Sequence, residues 1–99
     1  MHVPANTIPY TELPPARPDS PIATEWETYR REVGRLLAEG QEGRFVLIKG
    51  EEIIGIWDGR EDANAEGLRR YLLQPFLLHQ VRSREPLVRL SPAVKLWDA

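Results

Sequence analysis

The side chains of this chain that could perform chemistry include two carboxylates, Asp58 and Asp62, in an acidic stretch of the sequence. Such a pair could hold a magnesium ion or share a proton in general acid–base catalysis. Carboxylates in the first turn of a helix also complement the helix dipole, which accounts for them without any reaction. A metal-dependent hydrolase is therefore an alternative hypothesis and not the leading one.

The other candidates for catalysis lack the neighbours that a mechanism requires. His2 and His79 lie far apart in the sequence, without a zinc-binding spacing. The serines stand outside any G-x-S-x-G motif, and the chain has no cysteine. A histidine on an apolar strand is most often partly buried with a satisfied hydrogen bond, and we expect this of His79. We therefore predict a protein that is not an enzyme, with no catalytic residue, metal ligand or cofactor.

Basic residues collect late in the sequence and could form a patch. The chain has 13 basic and 15 acidic residues and a net charge of −2, whereas nucleic-acid-binding domains usually carry a basic excess. No glycine-rich phosphate loop, RNA-binding signature or helix-turn-helix pattern accompanies the patch. A weak contact with nucleic acid is therefore a second alternative, through Arg69, Arg70, Arg82, Arg84 and Arg89.

The elements that would position these groups centre on a predicted β-hairpin over about residues 44–57. Gly50 and Glu51 form its two-residue turn, because a glycine in the first position suits a type II′ turn. With this turn, one face of the hairpin carries Phe45, Leu47, Ile54 and Ile56, and the other carries Val46, Ile48, Ile53 and Trp57. A hairpin with one face in water alternates apolar and polar residues, so this hairpin must be covered on both faces.

The two-faced hairpin also motivates the leading functional hypothesis. If both helices of the domain packed on one face, the other would expose an apolar patch, and such patches usually mark an interface. The residues of this predicted partner interface are Val46, Ile48, Ile53 and Trp57. We therefore expect a non-enzymatic accessory module that binds a protein partner or a second copy of itself through the sheet.

A helix precedes the hairpin in the prediction. Thr24 would cap its start and form a capping box with Glu27, and Gly40 marks its end. Apolar residues recur between these limits at helical spacing, at Trp26, Tyr29, Val33, Leu36 and Leu37. This stripe predicts that the helix packs against the sheet.

A second helix and a third strand follow the hairpin. Asp58 would cap a helix over about residues 60–72, and Gly67 on its inner face predicts close approach to the sheet over Gly55. The residues of this predicted inner face are Ala63, Gly67, Leu68, Tyr71 and Leu72. An apolar segment over about residues 75–81 predicts the third strand. The fold class is therefore a small α+β domain with the order α-β-β-α-β and an antiparallel hairpin.

The two ends of the chain differ in composition from the middle. Residues 1–22 contain six of the nine prolines, which predicts an extended arm that is neither helix nor sheet, before a single domain over residues 23–99. Residues 87–90 are a candidate last strand, and we expect Trp97 to fold back onto the hairpin. The sequence has no cysteine, no signal-peptide pattern and no apolar run of roughly 18 residues, which indicates a cytoplasmic protein with no membrane contact.

The motif F-V-L-I-K-G-x-x-I-I-G-I-W-D, followed by a short helix with an alanine–glycine face and by P-F-L-L-H-Q-V, lies within residues 44–81. In this region the chain resembles a group of short uncharacterised bacterial proteins with a small β-β-α-β core and a variable proline-containing start. The resemblance implies the fold, and it implies no activity and no catalytic residues.

Overall fold

The computed structural model describes residues 6–86, which form a small α+β domain with two helices and antiparallel sheets, and this part of the predicted fold class is confirmed. Within this range the chain forms two α-helices, α1 over Ala23–Ala38 and α2 over Arg60–Tyr71. The strands are β1 (Thr7–Pro9), β2 (Phe45–Lys49), β3 (Glu52–Trp57), β4 (Leu77–Gln80) and β5 (Arg84–Pro86), and a short 3₁₀ helix covers Tyr10–Glu12.

The strands belong to two antiparallel sheets. A three-stranded main sheet has the order β3-β2-β4, with β2 in the centre. The other sheet is a two-stranded ribbon of β1 and β5, in which Ile8 lies opposite Glu85. We call this pair the β1–β5 ribbon.

The hairpin of β2 and β3 contains an irregularity that the sequence pattern did not indicate. Its turn matches the type II′ expectation, because Gly50 has a φ of 62° while no residue other than glycine has a positive φ in the described range. The register shifts between Leu47 and Ile48, so Ile54 is an extra residue in β3. A bulge reverses the faces of all following side chains, and Ile56 therefore pairs with Val46.

The two helices cover opposite faces of the main sheet. Val46 and Ile48 are fully buried in a cluster with the apolar stripe of α1. Leu47 lies between them and points the other way, and it is also fully buried, on the side where α2 contacts all three strands. Both apolar faces of the hairpin are therefore sheltered within one chain.

The proline-rich N-terminal segment is ordered where the structure describes it, and the prediction that it forms neither helix nor sheet is wrong at residues 7–12. Leu13 is buried in the core, and Ile8 packs against the same cluster. The indole Nε1 of Trp26 donates a hydrogen bond to the carbonyl oxygen of Pro14 at 2.8 Å. These contacts attach the segment to α1, and local proline content gave no sign of them.

Neither predicted helix cap is present. The N-cap residue of α1 is Ile22, without a side-chain hydrogen bond, so the Thr24–Glu27 capping box is wrong. Glu27 instead accepts a hydrogen bond from the backbone N–H of Ala16 at 2.6 Å. Tertiary contacts thus use a carboxylate that sequence spacing assigned to a local role. The candidate strand at residues 87–90 and the expected docking of Trp97 lie outside the described residues.

Candidate interaction surface

The predicted partner interface on the sheet is not available, because the chain covers it. Val46 and Ile48 are completely buried beneath α1, and Ile53 packs against the same core. The bulge moves Trp57 to the opposite face, where its ring lies over Gly55 and would be 2.6 Å from a Cβ atom added there. The condition for this interface was that both helices share one face, and that condition is not met.

The inner face of α2 is built from small residues. Ala63 and Gly67 are the buried residues of this helix. A Cβ atom at Gly67 would come within 2.6 Å of the ring of Phe76, so the missing side chain makes room for that ring. The predicted close approach of Gly67 to the sheet over Gly55 is therefore wrong in its partner, because Phe76 and Trp57 occupy the two spaces.

The outer side of α2 ends in exposed leucines. Leu68 is 44% exposed, Leu72 is 71% exposed and Leu73, just beyond the helix, is 93% exposed. Leu68 and Leu72 are four residues apart and so lie on one side of the helix. We call Leu68, Leu72 and Leu73 the α2 leucine surface. The sequence pattern placed Leu68 and Leu72 on the inner face and so missed this surface, although a small inner face at Ala63 and Gly67 was a signal of it.

The arginines beside the α2 leucine surface are paired within the helix. Arg69 and Arg70 both donate hydrogen bonds to the carboxylate of Glu66. These hydrogen bonds lower the pKa of Glu66 to about 2, so this carboxylate remains charged in the ordinary pH range. The α2 part of the predicted basic patch is therefore partly neutralised by its own helix.

The other arginines of the predicted patch have partners elsewhere. Arg82 donates hydrogen bonds to the side-chain oxygen of Gln80, at 3.1 and 2.8 Å. Arg84 donates from its Nε to the hydroxyl of Thr7 at 2.8 Å. Arg89 lies outside the described residues. The contact of Arg84 joins the two strands of the β1–β5 ribbon, whereas that of Arg82 is local, to the last residue of β4.

The candidate metal pair is engaged differently from the prediction. Asp58 accepts a hydrogen bond from the Nε of Arg44 at 2.6 Å and does not cap α2, whose N-cap residue is Gly59. The hydrogen bond and the charge of Arg44 lower the pKa of Asp58. Within residues 6–86 no group of three or more histidine or acidic side chains could hold a metal ion. Asp58 and Asp62 therefore receive no support here as a metal site.

His79 lies in a buried aromatic and polar cluster, as expected for a satisfied histidine. Its Nε2 is 2.8 Å from a carboxylate oxygen of Glu85, and the two side chains are 17% and 4% exposed. The ring contacts Tyr29 edge-on, with centroids 4.6 Å apart. Burial, with the charge of Glu85, raises the pKa of Tyr29 well above its usual value. The cluster links α1, β4 and β5, and the prediction of a partly buried, hydrogen-bonded His79 is confirmed.

A second buried polar group joins α1 to the hairpin turn, and the sequence pattern did not indicate it. Glu25 and Thr28 are both buried on α1. Glu25 accepts a hydrogen bond from the backbone N–H of Gly50 at 2.7 Å, and the hydroxyl of Thr28 donates to the carbonyl oxygen of Gly50 at 2.8 Å. In the sequence, the one signal of this buried group is that Glu25 and Thr28 adjoin the apolar stripe of α1. The contacts satisfy the turn backbone where helix and hairpin meet.

Comparisons with protein-family models, with curated proteins and with solved structures find no match for this chain. Among the described residues, neither α1 nor α2 has the length and apolar composition needed to cross a membrane. The function is therefore inferred from the residues of this chain alone.

Proposed function

We propose that this chain is a non-enzymatic interaction module that associates with a second copy of itself through the α2 leucine surface. The exposure of Leu72 and Leu73, at 71% and 93%, is the observation that supports it. Adjoining exposed leucines are an unusual use of apolar side chains in a small domain, and contiguous apolar patches often mark contact sites. The proposal moves the expected interface from the sheet to the end of α2.

A second copy fits this surface because a two-fold contact uses the same patch on both partners. Leucine side chains can pack against leucine side chains without any polar group needing a partner. The hydrogen bonds from Arg69 and Arg70 to Glu66 offset one of the two positive charges beside the leucines. This compensation reduces the repulsion between two identical surfaces that approach each other.

The non-enzymatic part of the proposal is supported by the partners of the groups that could perform chemistry. Asp58 is paired with Arg44, and His79 is paired with Glu85. Each pair joins two separate segments of the fold, which is a structural task. Among residues 6–86, no nucleophilic side chain lies beside both a base and a group that orients the base, as acyl or phosphoryl transfer would require.

Concentration-dependent NMR spectra test where the contact lies. As the protein concentration rises to roughly 1 mM, which reveals even weak association, we expect amide shifts to change at residues 68–73. The amides of α1, on the other side of the sheet, should remain unchanged and serve as the internal reference. Shifts that change on α1 and not on α2, or no change over the whole concentration range, would contradict the proposal.

A further inference from the structure

The inward side of the β1–β5 ribbon contains a charged residue where an apolar one would be expected. Ile8 and Glu85 lie opposite each other in the ribbon, so their side chains share a face. Ile8 packs against the hydrophobic core, and Glu85 is almost completely buried beside it. A buried carboxylate is costly unless hydrogen-bonded or charged partners stabilise it. The docking of the ribbon therefore depends on the partners of Glu85.

Among the described residues, His79 is the charged or chargeable partner nearest to Glu85. The imidazole Nε2 lies 2.8 Å from the carboxylate, whereas the closest guanidinium nitrogen of Arg82 lies 3.8 Å away. The guanidinium of Arg82 is also hydrogen-bonded to Gln80. Arg82, whose charge is permanent, is thus the more distant partner and is already hydrogen-bonded to another side chain. The closer partner is a histidine, the side-chain type whose charge changes between about pH 5 and 8.

The other described groups that contact His79 do not offer a competing charge. From α1, Tyr29 contacts the ring edge-on, and its raised pKa keeps the phenol neutral in the ordinary pH range. Trp26 contacts the ring from the same helix, with centroids 5.5 Å apart. From β2, the residue opposite His79 is the apolar Val46. In the part of the chain that the structure describes, the charged groups that face His79 are therefore Glu85 and, beyond it, Arg82.

We propose that His79 and Glu85 form a proton-dependent latch that attaches the β1–β5 ribbon to the main sheet. When His79 is protonated, its contact with Glu85 is an ion pair with a charge-assisted hydrogen bond, which is about twice as strong as a neutral one. When His79 is neutral, the buried carboxylate keeps only a neutral donor at that position. The ribbon is accordingly held more tightly under mildly acidic conditions than above neutral pH.

Hydrogen exchange of the ribbon amides tests the latch. We expect the protection factors of Ile8 and Glu85, which correct for the intrinsic pH dependence of exchange, to fall about fivefold between pH 5.5 and 7.5. The amides of Leu47 and Ile48 in the central strand should keep their protection and serve as the reference. Equal protection of the ribbon at both pH values would overturn the proposal.

The variant E85Q separates the latch from a merely structural hydrogen bond. Glutamine keeps the size of the side chain and an oxygen acceptor but removes the charge. We expect the ribbon of this variant to show no pH dependence, while the variant H2Q, which removes the other histidine, retains the full change. Persistence of the pH dependence in E85Q would contradict the latch.

Wild-type protein gives a second readout that needs no variant. The ring resonances of His79 should titrate together with the amide shifts of Ile8 and Glu85, because one proton changes both. A titration of His79 that leaves the ribbon amides unchanged would overturn the proposal even if every variant failed to fold.

Discussion

The two helices cover the same three-stranded sheet in different ways. α1 buries large aromatic and aliphatic side chains together with the polar side chains of Glu25 and Thr28, whereas α2 buries only Ala63 and Gly67. The buried residues of α1 are Glu25, Trp26, Thr28, Tyr29, Val33 and Leu36. Within residues 6–86, the large apolar side chains that face water lie instead on and just after α2, at Leu68, Leu72 and Leu73. The comparison separates a helix that builds the core from a helix whose leucines remain exposed.

This difference has a physical origin in residue size. The small residues of α2 leave room for the Phe76 ring, but they remove little apolar area from water and contribute little to the hydrophobic free energy. On the opposite face of the sheet, the aromatic and branched side chains of α1 contribute most of the hydrophobic free energy. Matched variants on the two helices measure how much the side chains on each face of the sheet contribute to the free energy of unfolding.

The largest expected effect is a cavity beneath α1. Leu36 is almost completely buried, so the variant L36A should lower the free energy of unfolding by about 2–5 kcal/mol. The matched variant L72A on α2 removes the same atoms from an exposed site and should change it by less than about 0.5 kcal/mol. Urea unfolding of both variants at low protein concentration measures the difference. Equal losses of unfolding free energy in L36A and L72A would contradict the claim that α1 contributes more to stability than α2.

An intermediate effect is expected at Gly67, on the inner face of α2. The variant G67A adds a methyl group within 2.6 Å of the Phe76 ring and should destabilise the fold by about 1–3 kcal/mol, although alanine favours helix. Gly34 of α1 is the matched control, because a methyl group there meets Tyr10 only at an ordinary contact distance of 3.4 Å. G34A should therefore be neutral or stabilising. Thermal unfolding that ranks the two variants in the reverse order would refute this packing.

A smaller effect is expected at the hydrogen bond between α1 and the hairpin turn. The variant T28V keeps the shape of the side chain but removes the hydroxyl that donates to Gly50, and it should cost about 1 kcal/mol. Exchange of the amides in the hairpin turn should also become faster, since the turn loses one attachment to the helix. Unchanged unfolding and unchanged exchange in T28V would show that this contact does not hold the hairpin.

The smallest change is expected from pH at the loop that follows α1. Glu42 accepts hydrogen bonds from the backbone N–H and the hydroxyl of Ser83, and the backbone bond is the main cause of its pKa lying below 4.5. The stabilising contribution is therefore present above pH 4.5 and is lost as the pH falls through the lowered pKa. We expect E42Q to melt below wild type at pH 7 and alongside it in acid. A difference in melting temperature that persists in acid would contradict this assignment.

Much of the α1 face could be predicted from the sequence because its signals are local. The apolar stripe that includes Tyr29, Val33 and Leu36 has helical spacing, and these residues lie in the core beneath α1. Gly50 indicated the hairpin turn, since the positive φ of 62° at this position suits glycine. Helical spacing and a glycine that suits the turn are both visible in a short stretch of sequence, so both elements could be predicted without knowing their tertiary partners.

The features that could not be predicted depend on partners distant in sequence. The bulge at Ile54 leaves no mark in an unbroken apolar run, and it decides which face Trp57 occupies. Glu27 and Asp58 have the spacing of helix caps, but tertiary partners use them instead. The α2 leucine surface escaped prediction for a related reason, because periodicity shows that a helix has an apolar side without showing how much of it the sheet covers.

Sedimentation equilibrium of wild type and the double variant L72S/L73S tests the central claim most directly. We predict that wild type associates reversibly and that the double variant dissociates to a monomer without loss of unfolding free energy beyond about 0.5 kcal/mol. The control variant N64S, which changes an exposed residue nearer the start of α2, should associate as wild type does. A wild-type protein that is monomeric up to roughly 1 mM, or a double variant that associates equally well, would contradict the claim.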